Sequence, residues 1–112
     1  MESTRQKKVS RLVQKELGNY FQRESSLLSP GKIITVTVVR ISPDLSLAKV
    51  YLSIFPSDNT DGVLQKITDR RKAIRHELGK NVRHQLRAIP EIAFFVDDTL
   101  DYVDNIEDLL KK

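Results

Sequence analysis

The sequence predicts a single domain of the α+β class, and three observations lead to this prediction. Apolar residues recur at helical spacing within residues 4–21 and 63–86, and β-branched runs of alternating polarity lie between those segments. The chain has 112 residues and no stretch with the composition of a linker, so it has room for one hydrophobic core. Its 39% hydrophobic and 30% charged residues are typical of a globular protein.

An amphipathic helix is predicted over residues 4–21, with Gly18 near its end. Its apolar side gathers residues that cluster on one face at helical spacing, namely Val9, Leu12, Val13, Leu17, Tyr20 and Phe21. Its opposite side carries four cations, called the N-terminal ridge below: Lys7, Lys8, Arg11 and Lys15. A helix that is merely solvated carries similar lysines, so the ridge alone leaves nucleic-acid binding and simple solvation both open.

Two strands are predicted over residues 33–42 and 46–55, and the Pro43-Asp44 turn between them joins them into a hairpin. The first strand groups on one face Ile34, Val36 and Val38. The second strand groups on one face Ala48, Val50, Leu52 and Ile54. A third strand is predicted from Ile92 to Val96.

The other face of the second strand is mixed, because it carries Lys49, Tyr51 and Phe55. These side chains can stack on RNA bases, or they can pack beneath the C-terminal segment of the chain. We favour the second interpretation.

Residues 63–86 carry a longer helical pattern, which follows a loop at residues 56–62. One continuous helix would turn Arg71 and Arg75 toward its apolar side, where burial of unpaired guanidinium groups is unfavourable. The sequence therefore predicts two shorter helices with a kink near Asp69–Lys72, and it predicts that the helical stretch ends at Pro90. The second helix is expected to present one polar face, formed by His76, Lys80, Arg83 and Arg87.

The C-terminal segment, residues 98–112, is predicted to be a short acidic helix or tail. Its apolar residues recur at roughly helical intervals, at Leu100, Val103, Ile106 and Leu110. Asp98 or Thr99 can cap such a helix. We accordingly divide the chain into a folded domain at residues 1–97 and this segment.

Charge is distributed unevenly along the chain. Formal net charges are +4 for residues 1–32, −1 for residues 33–61, +6 for residues 62–90 and −5 for residues 91–112. The two basic segments are the candidates for contact with an anionic partner such as RNA. The candidate contact residues are the N-terminal ridge and a second set that comprises Arg70, Arg71, Lys72, Arg75, Lys80, Arg83 and Arg87.

Several classes of chemistry lack the residues they need. The absence of cysteine excludes disulfides, zinc–thiolate sites and cysteine nucleophiles. The two histidines, His76 and His84, are eight residues apart, and no P-loop or nucleophile motif occurs. We therefore predict no enzymatic activity, no metal site and no cofactor. No apolar leader and no stretch of membrane-spanning length is found, so we expect a cytoplasmic monomer without a membrane partner.

The order of helix, hairpin, two helices with a basic break, and strand resembles the type II KH RNA-binding fold. Within that order, residues 36–53, VTVVRISPDLSLAKVYLS, resemble the signature hairpin of the ribosome-binding factor A family. Residues 87–94, RAIPEIAF, and the Asp97-Asp98-Thr99 that follows resemble the segment around the last strand of that family. Residues 5–17 are similar to its first helix, and Ile74-Arg75 with Leu78-Gly79 are similar to its third helix.

This resemblance spans essentially the whole chain. It implies a KH-like RNA-binding domain at residues 1–97 and a factor that binds the small ribosomal subunit or its precursor rRNA. It further implies a role in late assembly of the subunit and in processing of its rRNA, most evident in the cold. One departure concerns the kink, where KH domains carry Gly-x-x-Gly and this family is expected to carry Ala-x-Gly. Here the corresponding residues are Arg70, Arg71 and Lys72.

Two other functions stay open at this stage. A KH-like module for single-stranded RNA would prefer short unstructured oligonucleotides. A protein-interaction module would use the basic face to bind an acidic partner, and purified ribosomal subunits would not retain it.

Overall fold

Three helices cover one face of a three-stranded sheet in the computed structural model, which describes residues 3–97. The elements in chain order are α1 (Thr4–Leu28), β1 (Ile33–Ile41), β2 (Leu47–Phe55), α2 (Thr60–Asp69), α3 (Arg71–Val82) and β3 (Glu91–Val96). β2 is the central strand, antiparallel to β1 and parallel to β3. The predicted α+β class and element order are confirmed, whereas the helix predicted within residues 98–112 lies outside the described residues.

α1 begins at a capping box and runs further than predicted. The Ser3 hydroxyl accepts a hydrogen bond from the Gln6 amide, and the Gln6 side chain accepts one from the Ser3 amide at 2.7 Å. The prediction that the helix ends near residue 21 was wrong, because Leu28 is buried in the core and extends the apolar face by two turns. Gly18 is therefore a mid-helix residue. The helix stops before Pro30 and Gly31, and Gly31 has a φ of +82° that favours glycine.

The inner face of the sheet packs against the helices and forms one core with them. β2 contributes the four residues predicted for this face, Ala48, Val50, Leu52 and Ile54, all of them buried. β1 differs from the prediction, because a β-bulge between Val36 and Val38 shifts the alternation by one residue. Val38 consequently points outward, and Val39 takes the inner position.

An aromatic contact joins α1 to β3 at the centre of the core. The ring of Phe21 is fully buried and meets the ring of Phe94 edge-to-face, with centroids 5.9 Å apart. The ring of Tyr20 packs against the ring of Phe21, with centroids 5.3 Å apart. At the other end of α1, the Gln6 side-chain amide donates to the Ile41 carbonyl at 2.9 Å and ties the start of the helix to the end of β1.

The break between the paired helices falls at Arg70, within the predicted kink. Arg70 has φ −99° and ψ 8°, which any L residue can adopt, and Lys72 already lies inside α3. The kink therefore forms without the glycine that the resemblance leads one to expect there. The prediction that the helical stretch ends at Pro90 was wrong, since α3 ends at Val82 and residues 83–90 form a connection to β3. Val82 is the last buried residue of α3, and Leu86 packs against the core from the connection that follows.

Candidate nucleic-acid interface

The N-terminal ridge lies on the solvent side of α1, as predicted. Its members Lys7, Lys8, Arg11 and Lys15 are all exposed. The opposite side of the helix is buried through Val9, Val13, Leu17 and Phe21. The ridge thus offers four ammonium and guanidinium groups to solvent along about two turns of one helix.

A second basic surface is a cleft between α3 and the chain that enters β3, called the α3 cleft below. Four exposed candidate cations line it, namely Arg71, Lys72, Lys80 and Arg83. His76 and Glu91 also line it, together with Gly79, Ile89 and Ile92. Its volume of about 620 Å³ is within the range of clefts that hold ligands. Gly79 faces Ile89, and a Cβ at this position would lie in ordinary van der Waals contact with Ile89 Cγ1, at 3.4 Å.

A third surface is a cleft between the start of α1, the β1–β2 turn and residues 85–89, called the α1 cleft below. It brings Lys8 of the ridge together with Arg87 and with Arg5, which the sequence analysis did not single out. Arg5 was detectable, since it lies three residues before Lys8 and therefore on a neighbouring position of the same helix. The α1 cleft has a volume of about 910 Å³.

The placement of Arg87 corrects a prediction. Arg83 and Arg87 were expected to share one face of the second paired helix with Lys80, but α3 ends before both of them. Arg83 directly follows the helix and lines the α3 cleft, whereas Arg87 lies in the connection to β3 and lines the α1 cleft. The two arginines therefore serve different clefts.

Arg75 lies between the two clefts and lines both. Its Nε donates to the Pro90 carbonyl at 3.0 Å, and a terminal nitrogen donates to the Ile89 carbonyl at 2.7 Å. The guanidinium also pairs with the Glu91 carboxylate at 3.6 Å, and the Arg75 side chain is 40% exposed. Arg75 is thus held by the wall that the clefts share, and it differs in this from the other candidate cations.

Arg70 is exposed at the kink but lines neither cleft. It lies close enough to the Tyr20 hydroxyl for its charge to lower the pKa of that group. Burial of the hydroxyl and the carboxylates of Glu24 and Glu77 act in the opposite direction, and the pKa of Tyr20 is raised overall. The three cations of the kink therefore diverge, with Arg71 and Lys72 in the α3 cleft and Arg70 toward α1.

The β1–β2 turn forms one rim of the α1 cleft. The Asp44 carboxylate accepts hydrogen bonds from the Ser42 and Ser46 hydroxyls, each at 2.7 Å, and from the Ser46 amide at 3.1 Å. These donors, with the Ser46 hydroxyl foremost, lower the pKa of Asp44 from 3.8 to about 2. Asp44 has the structural role in the turn that was predicted for it, even though it also lines the cleft.

The electrostatic character of both clefts follows from how few of these charges are neutralised. Among residues 3–97, two salt bridges form, Lys32–Asp58 and Arg75–Glu91, and only the second involves a candidate cation. Every candidate cation other than Arg75 is exposed. The arrangement presents fixed positive charge on concave surfaces, which suits contact with phosphate groups.

Other classes of site were also sought among the described residues. Residues 3–97 contain no group of three or more metal-ligating side chains. None of the helices in this range combines the length and apolar character needed to cross a membrane.

Comparison with known proteins gives the family of the chain. A family model described as ribosome-binding factor A matches residues 5–110. The chain is 46% identical over 112 residues to the ribosome-binding factor A of Cytophaga hutchinsonii, covering 100% of this chain and 84% of that protein. It is 44% identical over 113 residues to that of Christiangramia forsetii, covering 98% of this chain and 85% of that protein.

Solved structures agree with these matches. The crystal structure of ribosome-binding factor A from Thermus thermophilus superposes with a TM-score of 0.68 at 21% identity, over 81% of this chain and 94% of that one. A homology model of the T. thermophilus protein was fitted into a cryo-electron microscopy map of a complex with the 30S subunit. It superposes on this chain with a TM-score of 0.61 at 25% identity, over 78% of this chain and 93% of that one. The domain thus has the type II KH-like fold expected from the resemblance. From the family match and these relatives, the chain belongs to the ribosome-binding factor A family.

Proposed function

We propose that this chain binds the small ribosomal subunit or its precursor rRNA, and that it assists late assembly of the subunit and processing of its rRNA. The observation that carries this proposal is the meeting of cations from two distant segments of the sequence. Arg5 and Lys8 of α1 lie with Arg87 in the α1 cleft, and the α3 cleft continues the basic surface beyond Arg75. Membership of the ribosome-binding factor A family supports the ribosome as the partner.

The chemistry of the surface favours RNA that is already folded. Lysine and arginine side chains on concave walls contact phosphates and fix position without reading base sequence. Double-helical RNA denies side chains access to its deep major groove, so such RNA is recognised by the shape of its backbone and by its 2′-hydroxyls. The relative from T. thermophilus that was fitted with the 30S subunit supports a folded, ribosomal target for this chain too.

Cosedimentation with purified small subunits tests the proposal. The chain should travel with the subunits at low salt and dissociate as salt rises, because each phosphate contact releases counterions and contributes a slope of about 0.7–0.9 in log K against log salt. A matched control is Lys66→Ala, which removes an exposed cation of α2 that lines neither cleft. This variant should bind as the unchanged chain does.

Two outcomes would assign the other functions. Efficient displacement of the subunits by short unstructured oligonucleotides would identify a single-stranded RNA module. Retention by an acidic protein, combined with no retention by subunits at any salt concentration, would identify a protein-interaction module. Binding to subunits that is unaffected by salt would contradict the phosphate contacts proposed here.

A further inference from the structure

The α1 cleft has an apolar lining in addition to its cations. Four of its side chains, those of Leu12, Leu45, Leu86 and Ile89, are half-buried, since they pack against the core and also line the cleft. Phosphate contacts need no such lining, because cationic and other polar groups make them. The lining therefore indicates that the ligand brings an apolar group into the cleft.

The β1–β2 turn holds one of these side chains in place through an unfavourable backbone conformation. Leu45 has a φ of +64°, in the left-handed region that bulky L residues rarely adopt. Its amide donates to the Ser42 carbonyl at 2.9 Å and closes the turn. Glycine or asparagine would adopt this conformation more easily. The leucine is explained by the position of its side chain, which lies against the core and in the cleft.

The carboxylate of Asp44 adds a hydrogen-bond acceptor to the same cleft. The hydrogen bonds from the Ser42 hydroxyl, the Ser46 hydroxyl and the Ser46 amide all end on its Oδ1. A carboxylate can accept about four hydrogen bonds through its two oxygens. The Oδ2 atom of Asp44 therefore retains the capacity to accept a hydrogen bond from a ligand.

We propose that the α1 cleft takes one unpaired nucleotide of the RNA, with its base among the apolar side chains and its phosphates on Arg5, Lys8 and Arg87. This inference rests on the proposed function and adds a particular ligand to it. The base is the part of RNA that has apolar faces, and it presents them only when it leaves its stack. The cleft volume of about 910 Å³ lies within the range of clefts that hold small ligands.

The Asp44 carboxylate also sets a preference between the two pyrimidines. Cytosine presents an amino group at N4, from which a carboxylate accepts a hydrogen bond. Uracil presents a carbonyl oxygen at the corresponding position, and this oxygen is repelled by the Asp44 carboxylate. The cleft should therefore bind cytidine more tightly than uridine.

Fluorescence anisotropy of the full chain with three RNA hairpins tests the proposal. The hairpins share one stem and differ at a single bulged position, which holds cytidine, uridine or an abasic ribose. Affinity should fall in that order, with cytidine bound at least about fivefold more tightly than the abasic site, the lower limit for one stacked base. The salt dependence should be equal for all three hairpins, because they offer the same phosphates.

Two variants and a control locate the base in the cleft. Leu12→Ala should reduce the advantage of cytidine over the abasic site and leave the salt dependence unchanged. Asp44→Asn replaces a carboxylate acceptor with an amide donor, so it should reverse the preference in favour of uridine. Leu64→Ala is the matched control and should keep the full advantage. Leu64 is also half-buried against the core, but it belongs to α2 and lines neither cleft.

Three results would overturn the proposal: equal affinity for the cytidine and abasic hairpins, an advantage of cytidine that Leu12→Ala leaves intact, or a preference for cytidine that survives Asp44→Asn. Loss of small-subunit binding by Leu12→Ala, together with indistinguishable hairpins, would identify a ribosomal protein as the occupant instead. The unchanged chain would still bind subunits in a salt-dependent manner in each case, whereas failure of the proposed function would abolish that binding.

Discussion

The Nε of Arg75 donates a hydrogen bond to the carbonyl of Pro90 at 3.0 Å, so this contact joins α3 to the residue that precedes β3. This contact fixes the wall between the α3 cleft and the α1 cleft. Pro90 is itself buried, and the carbonyl cannot easily find water as an alternative partner. Arg75 thus positions the walls of both basic clefts.

Replacement of Arg75 by Ala should therefore reduce the stability of the domain. A hydrogen bond that involves a charged group contributes about 1.5–3 kcal/mol, and the partial exposure of this side chain places the expected loss at about 1–3 kcal/mol. Urea denaturation measures it. Lys72→Ala is the control, since an exposed substitution on the same helix should change the free energy of unfolding by less than about 0.5 kcal/mol. Equal midpoints for the two variants would show that the Arg75 contacts add nothing to stability.

Arg83 and Arg87 provide the test of the two clefts, because each lines a different one. Replacing either with Ala should lower affinity for small subunits and flatten the salt dependence by about 0.7–0.9 in slope, and the double variant by close to twice that amount. The free energy of unfolding should change by less than about 0.5 kcal/mol, since both side chains are exposed.

The single variants separate the surfaces in the same binding assay. An unchanged slope for Arg87→Ala beside a reduced slope for Arg83→Ala would restrict the contact to the α3 cleft. Undiminished binding by the double variant would move the interface to the N-terminal ridge. A large fall in melting temperature would instead reveal a structural role for the two arginines.

The β1–β2 turn should show a pH dependence set by Asp44. Its pKa is about 2 in the folded protein and 3.8 ordinarily, so the folded state favours the ionised carboxylate. The stabilisation is fully present above pH 3.8 and is lost as the pH falls through about 2. Unchanged protein should therefore exceed Asp44→Ala in stability at neutral pH, and denaturant unfolding should show the difference disappearing in strong acid. A difference that is the same at both extremes would exclude the carboxylate as its cause.

Two glycines should respond to alanine in opposite directions. Gly18 lies inside α1 with nothing within 4 Å of an added Cβ, so Gly18→Ala should raise the free energy of unfolding by about 0.5–1 kcal/mol. Gly31 also has open space, but its φ of +82° is unfavourable for alanine, and Gly31→Ala should destabilise the domain. Thermal unfolding measures the change in stability of both variants. A stabilising Gly31→Ala would contradict the assigned backbone.

Cells that lack the gene should accumulate unprocessed small-subunit rRNA and free subunits, most strongly at low temperature, where misfolded RNA escapes slowly. Gel analysis of rRNA precursors at two growth temperatures measures this effect. The unchanged gene should restore normal rRNA processing in these cells. If the gene with both Arg83 and Arg87 replaced by Ala restores it only weakly, processing depends on the basic surface. Normal precursor levels in the cold would contradict a role in maturation.

The sequence predicted the parts of the fold that a local pattern encodes. Alternation placed Ala48 and Val50 correctly, and helical spacing placed the ridge on the solvent side of α1. It did not predict the orientation of Val38, because a bulge is set by pairing with Tyr51 on a neighbouring strand. Likewise, the sequence at Gly18 is typical of a helix end, and only burial of Leu28 against the core explains why α1 continues.

The candidate site was predicted in composition but not in arrangement. Helical spacing grouped Arg87 with Lys80, because residues 83–86 retain apolar periodicity at Leu86. In the structure Leu86 packs against the core from a connection, and Arg87 joins Arg5 and Lys8 instead. Contacts between segments eighty residues apart depend on the tertiary fold, so spacing along the chain could not reveal them.

The parallel pairing of β2 with β3 has a consequence for synthesis of the chain. Val96 is made 41 residues after Phe55, so at 5–20 residues per second the β3 edge of β2 stays unpaired for roughly 2–8 s. An open strand edge pairs readily with other chains. A chain terminated before Glu91 therefore exposes that edge of β2 permanently and is prone to aggregate, whereas a chain that reaches Val96 supplies the strand that covers it.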